Sequence, residues 1–101
     1  MVIEWLRIPV PIARQDDYLR HDRAIWTEFL AKQLGFAGKE YWRDPDSPEI
    51  LHLVICWDTL ADWHKVPQSG LAATDRAFAA ALGEVWPVQL CTRYDVLPPP
   101  A

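Results

Sequence analysis

Residues 50–57 read Ile50-Leu51-His52-Leu53-Val54-Ile55-Cys56-Trp57, an unbroken β-prone run with no Gly, no Pro and a single polar side chain, His52. Successive strand residues point to opposite faces. Leu51, Leu53, Ile55 and Trp57 therefore share one face, and Ile50, His52, Val54 and Cys56 share the other. Both faces are mostly apolar, so the strand needs cover on both sides. The chain's own helices can supply one cover. A second copy of the chain is the expected cover for the other.

Working outward, Asp44-Pro45-Asp46-Ser47-Pro48 is a dense turn signal. It joins a strand at 36–43, marked by Tyr41 and Trp42, to 50–57 as an antiparallel hairpin. Further upstream, Tyr18, Leu19, Trp26, Phe29 and Leu30 recur near helical spacing within 13–34, and Ile25 widens the stripe. Asp16 and Asp17 suit the opening turn of that helix, and Gly35 suits a left-handed cap after it. Residues 2–10 alternate as a first strand that Pro9 and Pro11 end, since proline has no amide for a sheet ladder.

Downstream, Asp58 or Thr59 can cap a short helix at 60–65, and Thr59 with Asp62 approximates a capping box. A second helical piece runs from about 69 to 82, with Leu71, Phe78 and Leu82 inward and Gly83 closing it. The last strand is expected at 88–97. The order strand, helix, strand, strand, helix, strand gives an α+β chain with the ferredoxin-like βαββαβ pattern, an antiparallel sheet with helices on one face. One domain is expected at 1–97, followed by a stiff Pro-rich tail at 98–101. The bare sheet face, with Ile50, Val54 and Cys56, would form a sizeable apolar patch. A homodimer with its sheets face to face removes that exposure.

Half of the 101 residues are hydrophobic and six are Trp, which marks a globular chain. A net charge of −4, with lysine only at Lys32, Lys39 and Lys65, argues against nucleic acid or an anionic membrane as partner. The Gly35-Phe36-Ala37-Gly38 stretch lacks the basic residue that an RNA-recognition motif needs. No run approaches the ~20 apolar residues of a membrane span, and the N-terminus lacks a signal peptide's apolar core, so the cytoplasm is the expected location. Cys56 and Cys91 fall in separate strands and are expected to be buried free thiols in a reducing compartment.

The stretch Val54-Ile55-Cys56-Trp57-Asp58-Thr59, continued by Leu60-Ala61-Asp62-Trp63-His64, resembles the dimeric α+β barrel superfamily. It is similar in particular to the antibiotic-biosynthesis-monooxygenase-like proteins. The segment from Gly35-Phe36 to Trp42-Arg43-Asp44-Pro45 carries the likeness upstream. The resemblance implies a ferredoxin-like half-barrel that dimerises, with a pocket between the sheet and helices of each subunit. It also implies a cofactor-independent monooxygenase, without metal or flavin, acting on a small aromatic compound. Quinone-forming members use an Asn with Trp residues. Haem-degrading members use an Asn on the first strand, a Trp ending the third and a His on the helix beyond. Trp57 matches the strand-end Trp. The chain contains no Asn, Leu6 falls at the first-strand Asn position, and the haem-ligand region falls near Thr74 and Asp75. His64 comes too early to match. Haem degradation by that route is therefore not expected.

Several residues are candidates for chemistry in such a pocket. Trp57 can stack a flat aromatic compound, or simply fill the core. Glu4 shares a strand face with Val2, Leu6 and Ile8, so it is either a desolvated base or a sheet-end residue reaching water. His64, next to Trp63 at the pocket mouth, can take a proton near neutral pH, or face solvent. Asp22 and Trp26, four apart on the first helix, can look into the same cavity, or mark the edge of its apolar stripe. The candidate catalytic residues are thus Glu4 and His64, and the candidate substrate-binding residues are Trp57, Trp26, Asp22 and Trp63. His52 and Cys56 sit about 13 Å apart along one strand, and Asp17 and His21 lack a third ligand, so no metal site is expected. The alternative is a non-catalytic homodimer that binds a hydrophobic ligand or another protein.

Overall fold

Four strands, β1 (Val2–Pro9), β2 (Phe36–Arg43), β3 (Ile50–Trp57) and β4 (Leu90–Asp95), form one antiparallel sheet in the order β2-β3-β1-β4. This is a computed structural model and describes residues 1–99. Two helical stretches lie on one face of the sheet. The first is a continuous helical run of a 3-10 turn (Ile12–Arg14), α1 (Gln15–His21), a π-helical segment (Asp22–Thr27) and α2 (Glu28–Ala31). The second is α3 (Leu60–His64) followed by α4 (Gln68–Leu82). The architecture is the ferredoxin-like α+β fold that the order of elements predicts. The last two tail residues, 100 and 101, lie outside the described residues.

The central strand β3 meets its pattern. Leu51, Leu53, Ile55 and Trp57 are all buried beneath the helices, and Trp57 is 0% exposed. They pack with Ile8, Tyr18, Phe78 and Leu82 at one end of the sheet, and with Val2 and Leu30 at the other. The opposite face is less bare than its sequence suggests. Val54 is itself buried, flanked in register by Trp5 on β1 and Glu40 on β2. His52 is satisfied there too, because its Nδ1 accepts a hydrogen bond from the Trp5 indole N–H at 3.1 Å.

Three expectations need correction. The first helix is not a regular α-helix over 13–34. Its middle widens into a π turn, and it ends at Ala31, followed by a turn that Gly35 leaves with φ +83°. Glycine is needed at that position twice over: the backbone is left-handed, and a Cβ would collide with the Asp62 side chain. The last strand is shorter than 88–97 and is a sheet edge, paired only along β1. Cys91 lies on that edge and is exposed, so of the two free thiols neither is fully buried. The capping reading holds: the Thr59 hydroxyl accepts from the Asp62 N–H at 3.1 Å.

One buried polar side chain ties the layers together. Gln15 donates to the carbonyls of Val10 and Pro48 at 3.0 and 2.7 Å and accepts from Arg43 at 2.8 Å. The start of α1, the end of β1 and the β2–β3 turn are fixed to one another by these three bonds.

Candidate functional site

Between the sheet and the helices lies a cavity of about 690 Å³. Its floor is the inner face of β1 and β3, where Leu6, Leu53 and Ile55 supply an apolar surface. All six candidate residues, Glu4, Asp22, Trp26, Trp57, Trp63 and His64, border it. Trp26 and Phe78 stand in its wall without closing it. The loop after α4 also borders it, and Arg14 holds that loop by an ion pair to Glu84 at 2.6 Å and by lying over the Trp86 ring at 5.3 Å. His64 is exposed on α3, beside Trp63.

Glu4 rises from the cavity floor. Its Oε1 accepts a hydrogen bond from the Trp57 indole N–H at 3.1 Å. Burial pushes the Glu4 carboxyl above its ordinary value, while the Trp57 bond and the positive charge of Lys39 pull it part of the way back. A desolvated carboxylate of this kind is a stronger base than one in water. Trp57 has its N–H committed to Glu4 and its ring edge-to-face with Phe36, centroids 5.9 Å apart. Its indole therefore fixes the carboxylate as well as filling the core.

On the opposite wall, Asp22 is 1% exposed and its Oδ2 receives two donors, the Lys39 ammonium and the Tyr41 hydroxyl, each at 2.5 Å. Tyr41 also shares a 3.0 Å bond with the Thr27 hydroxyl. Desolvation first, then the neighbouring Asp22 charge, raises the Tyr41 phenol well above its usual range, which keeps it a neutral donor. The π-helical segment explains how a carboxylate reaches this depth. In a regular α-helix each step of four residues overshoots a full turn by about 40°. The wider π turn reduces that drift, so Tyr18, Asp22 and Trp26 all stay on the cavity side.

Lys39 and Tyr41 are absent from the candidate site residues read from the sequence. Simple alternation along β2 puts Lys39 on the face opposite Phe36. A register shift between Phe36 and Gly38 inserts one extra residue, so Phe36, Lys39, Tyr41 and Arg43 all turn inward. Gly38, with φ +140°, is the available signal for that bulge. Among the described residues no group of three or more His, Cys, Asp or Glu side chains is placed to hold a metal ion, and no helix is long and apolar enough to cross a membrane.

A helix-covered antiparallel sheet with a cavity beneath the helices defines the class of fold, the ferredoxin-like α+β fold of antibiotic-biosynthesis-monooxygenase-like proteins. No family model matches the sequence, and no curated protein matches it. Solved structures do share the fold. A candidate antibiotic biosynthesis monooxygenase from Bordetella bronchiseptica is 20% identical with a TM-score of 0.72, over 95% of this chain and 96% of that one. A second, from Deinococcus radiodurans, is 16% identical with a TM-score of 0.65, over 100% and 97%. SnoaB, a cofactor-independent oxygenase from Streptomyces nogalater, is 14% identical with a TM-score of 0.60, over 97% and 92%. At these identities the likeness is one of fold.

Proposed function

We propose that the protein is a cofactor-independent oxygenase that acts on a small aromatic compound in its apolar, Trp-lined cavity. The cavity carries this reading. About 690 Å³ of space lies over Leu6, Leu53 and Ile55, with one desolvated carboxylate, Glu4, rising from the floor. The fold shared with SnoaB supports the reaction class. Glu4 is the base: it takes a proton from an activated methylene or phenol of the ligand. The electron pair left behind reduces dioxygen. For a ring methylene the balance is one methylene and one dioxygen giving one ring carbonyl and one water. The carbon is oxidised, one oxygen atom enters as the carbonyl, and the other leaves as water with the two methylene hydrogens.

Oxygen uptake with anthrone tests this, one dioxygen being consumed per ligand. Glu4→Gln keeps the acceptor for Trp57 but cannot take a proton, and the expected fall in rate is about 100-fold or more. His64→Ala, an exposed change at the mouth, is expected to cost under about tenfold. No uptake by the wild type sinks the oxygenase, and equal uptake by Glu4→Gln removes Glu4 as its base. Anthrone bound without uptake would leave the alternative, a non-catalytic dimer that holds a hydrophobic ligand.

The same proposal includes a homodimer packed through the outer sheet face. That face gathers Ile3, Trp5, Trp42, Val54, Cys56 and Tyr94 around a shallow apolar depression. Trp42 is 51% exposed and Tyr94 46%. Arg7, on the same face, has a buried Nε with no partner among the described residues, a donor that a facing copy can satisfy. Trp42→Glu is expected to turn a sedimenting dimer into a monomer with an unchanged far-ultraviolet spectrum. A wild-type chain that sediments as a monomer at micromolar concentration would overturn the dimer.

A further inference from the structure

We infer that Lys39 is the residue of the cavity that donates to an oxygen of the bound aromatic compound, and so sets the preference of the site for an oxygen-bearing ligand. This rests on the reading of the cavity as an aromatic site. Both side chains of the Lys39–Asp22 pair are 2% exposed, at the wall of a cavity whose floor is apolar apart from Glu4. Removing two charges from water costs several kcal/mol per ion, and a hydrophobic pair of similar volume is often as stable. Stability alone gives no reason for the pair to be there, and buried charges of this kind gather at functional sites.

Position makes the role specific. Lys39 pairs across the sheet with Ile55, and Ile55 pairs with Glu4, so the ammonium and the base stand in one row, two strands apart, on the same face. At ~4.8 Å per strand their Cα atoms are about 10 Å apart, a span that one flat ring system can bridge over Ile55. Lys39 is the single Lys or Arg among the described residues of the cavity wall. An ammonium has three N–H donors. Asp22 takes one, and the Tyr41 ring centre lies 5.3 Å from Nζ. Asp22 is the ammonium's one hydrogen-bond acceptor among the described residues, which leaves two N–H donors for a ligand oxygen brought to this wall. Asp22, itself fixed by Tyr41 and by the π turn, acts as the positioning residue.

The step this serves is a proton transfer. The ligand's C–H bond breaks, the proton goes to a Glu4 carboxylate oxygen, and the electron pair is delocalised through the ring system onto the ligand's far oxygen as an enolate. The Lys39 N–H donates to that oxygen, and nothing is oxidised until dioxygen arrives. A hydrogen bond from a charged donor is worth roughly tenfold or more in affinity.

The test compares anthrone with 9,10-dihydroanthracene, which has the same three-ring outline without the oxygen, under nitrogen, by quenching of tryptophan emission. The wild type is expected to bind anthrone about tenfold or more tightly than the hydrocarbon. In Lys39→Met the two should bind within about twofold of each other, with hydrocarbon affinity nearly unchanged. Should Lys39→Met fail to fold because Asp22 is stranded, the double variant Lys39→Met/Asp22→Asn gives the same comparison. Equal binding of the two probes by the wild type, or a preference that survives the loss of Lys39, overturns the inference while leaving an aromatic site standing. Binding of neither probe overturns both.

Discussion

Trp57→Ala is expected to destabilise the protein by about 3–5 kcal/mol, and by more at pH 7 than at pH 4. The first part is the cost of emptying a closed site. Trp57 is 0% exposed, closes one end of the core with Val2, Leu30 and Ile55, and meets the edge of Phe36. Large-to-small changes at such positions lose the transfer energy of the ring and leave a void. The pH dependence comes through Glu4. Its carboxyl lies above the ordinary value in the folded chain because of burial, and the Trp57 N–H opposes that rise. An acid whose folded pKa exceeds its unfolded value binds its proton more tightly when folded, so stability falls as pH climbs past the unfolded value of 4.5. Removing the indole N–H raises the folded value further and steepens that fall. Urea denaturation of wild type and variant at pH 4 and pH 7 reads both parts. A loss that is the same at the two pH values would show that the Trp57–Glu4 bond does nothing for the carboxylate. Trp57→Phe separates the two contributions, since it keeps most of the packing and deletes the donor.

The fold is readable because the decisive signals are local. Two apolar faces on 50–57, proline and aspartate at 44–48 and the glycines at 35 and 83 each determine a strand, a turn or a helix end by their own chemistry. Glu4 is readable for the same reason: strict alternation along β1 puts it among Val2, Leu6 and Ile8, and no bulge intervenes. The Asp22 partners are hidden because two irregularities combine to form that corner. The π turn aims Asp22 inward, and the bulge beside Gly38 turns Lys39 and Tyr41 to meet it. Either irregularity shifts which residues share a face, and periodicity counted along a regular helix or strand cannot register such a shift. The outer face misleads for a different reason. Alternation correctly puts Val54 there but takes no account of the bulk of Trp5 and Trp42. Their large rings stand on the same face and border the same depression, so a single copy already buries Val54.

Breaking the Lys39–Asp22 pair from one side is expected to cost about 3–5 kcal/mol in either Lys39→Met or Asp22→Asn, whereas the double variant should return to within about 1 kcal/mol of the wild type. The asymmetry follows from where the cost arises. In Lys39→Met a carboxylate remains in a cavity wall where its side chain is 2% exposed, with the Tyr41 hydroxyl as its remaining donor. In Asp22→Asn an ammonium remains with only the Tyr41 ring and a weak amide dipole beside it. In the double variant no charge is left to desolvate, and the amide introduced by Asp22→Asn retains a carbonyl for the Tyr41 hydroxyl. The surface pair Arg20–Asp17 supplies the contrast. It has a similar 2.9 Å contact, but its side chains are 70% and 50% exposed, and its loss should cost no more than ~1 kcal/mol and vanish in high salt. The buried pair should keep its coupling at high salt. A double-mutant cycle in urea, repeated at low and high ionic strength, measures all of these quantities. Single losses below about 1 kcal/mol would mean that water reaches the pair freely. A double variant far less stable than the wild type would mean that the pair is held for the sake of the fold. The expected result, a stable double variant that no longer distinguishes anthrone from its hydrocarbon, assigns the two charges to ligand recognition.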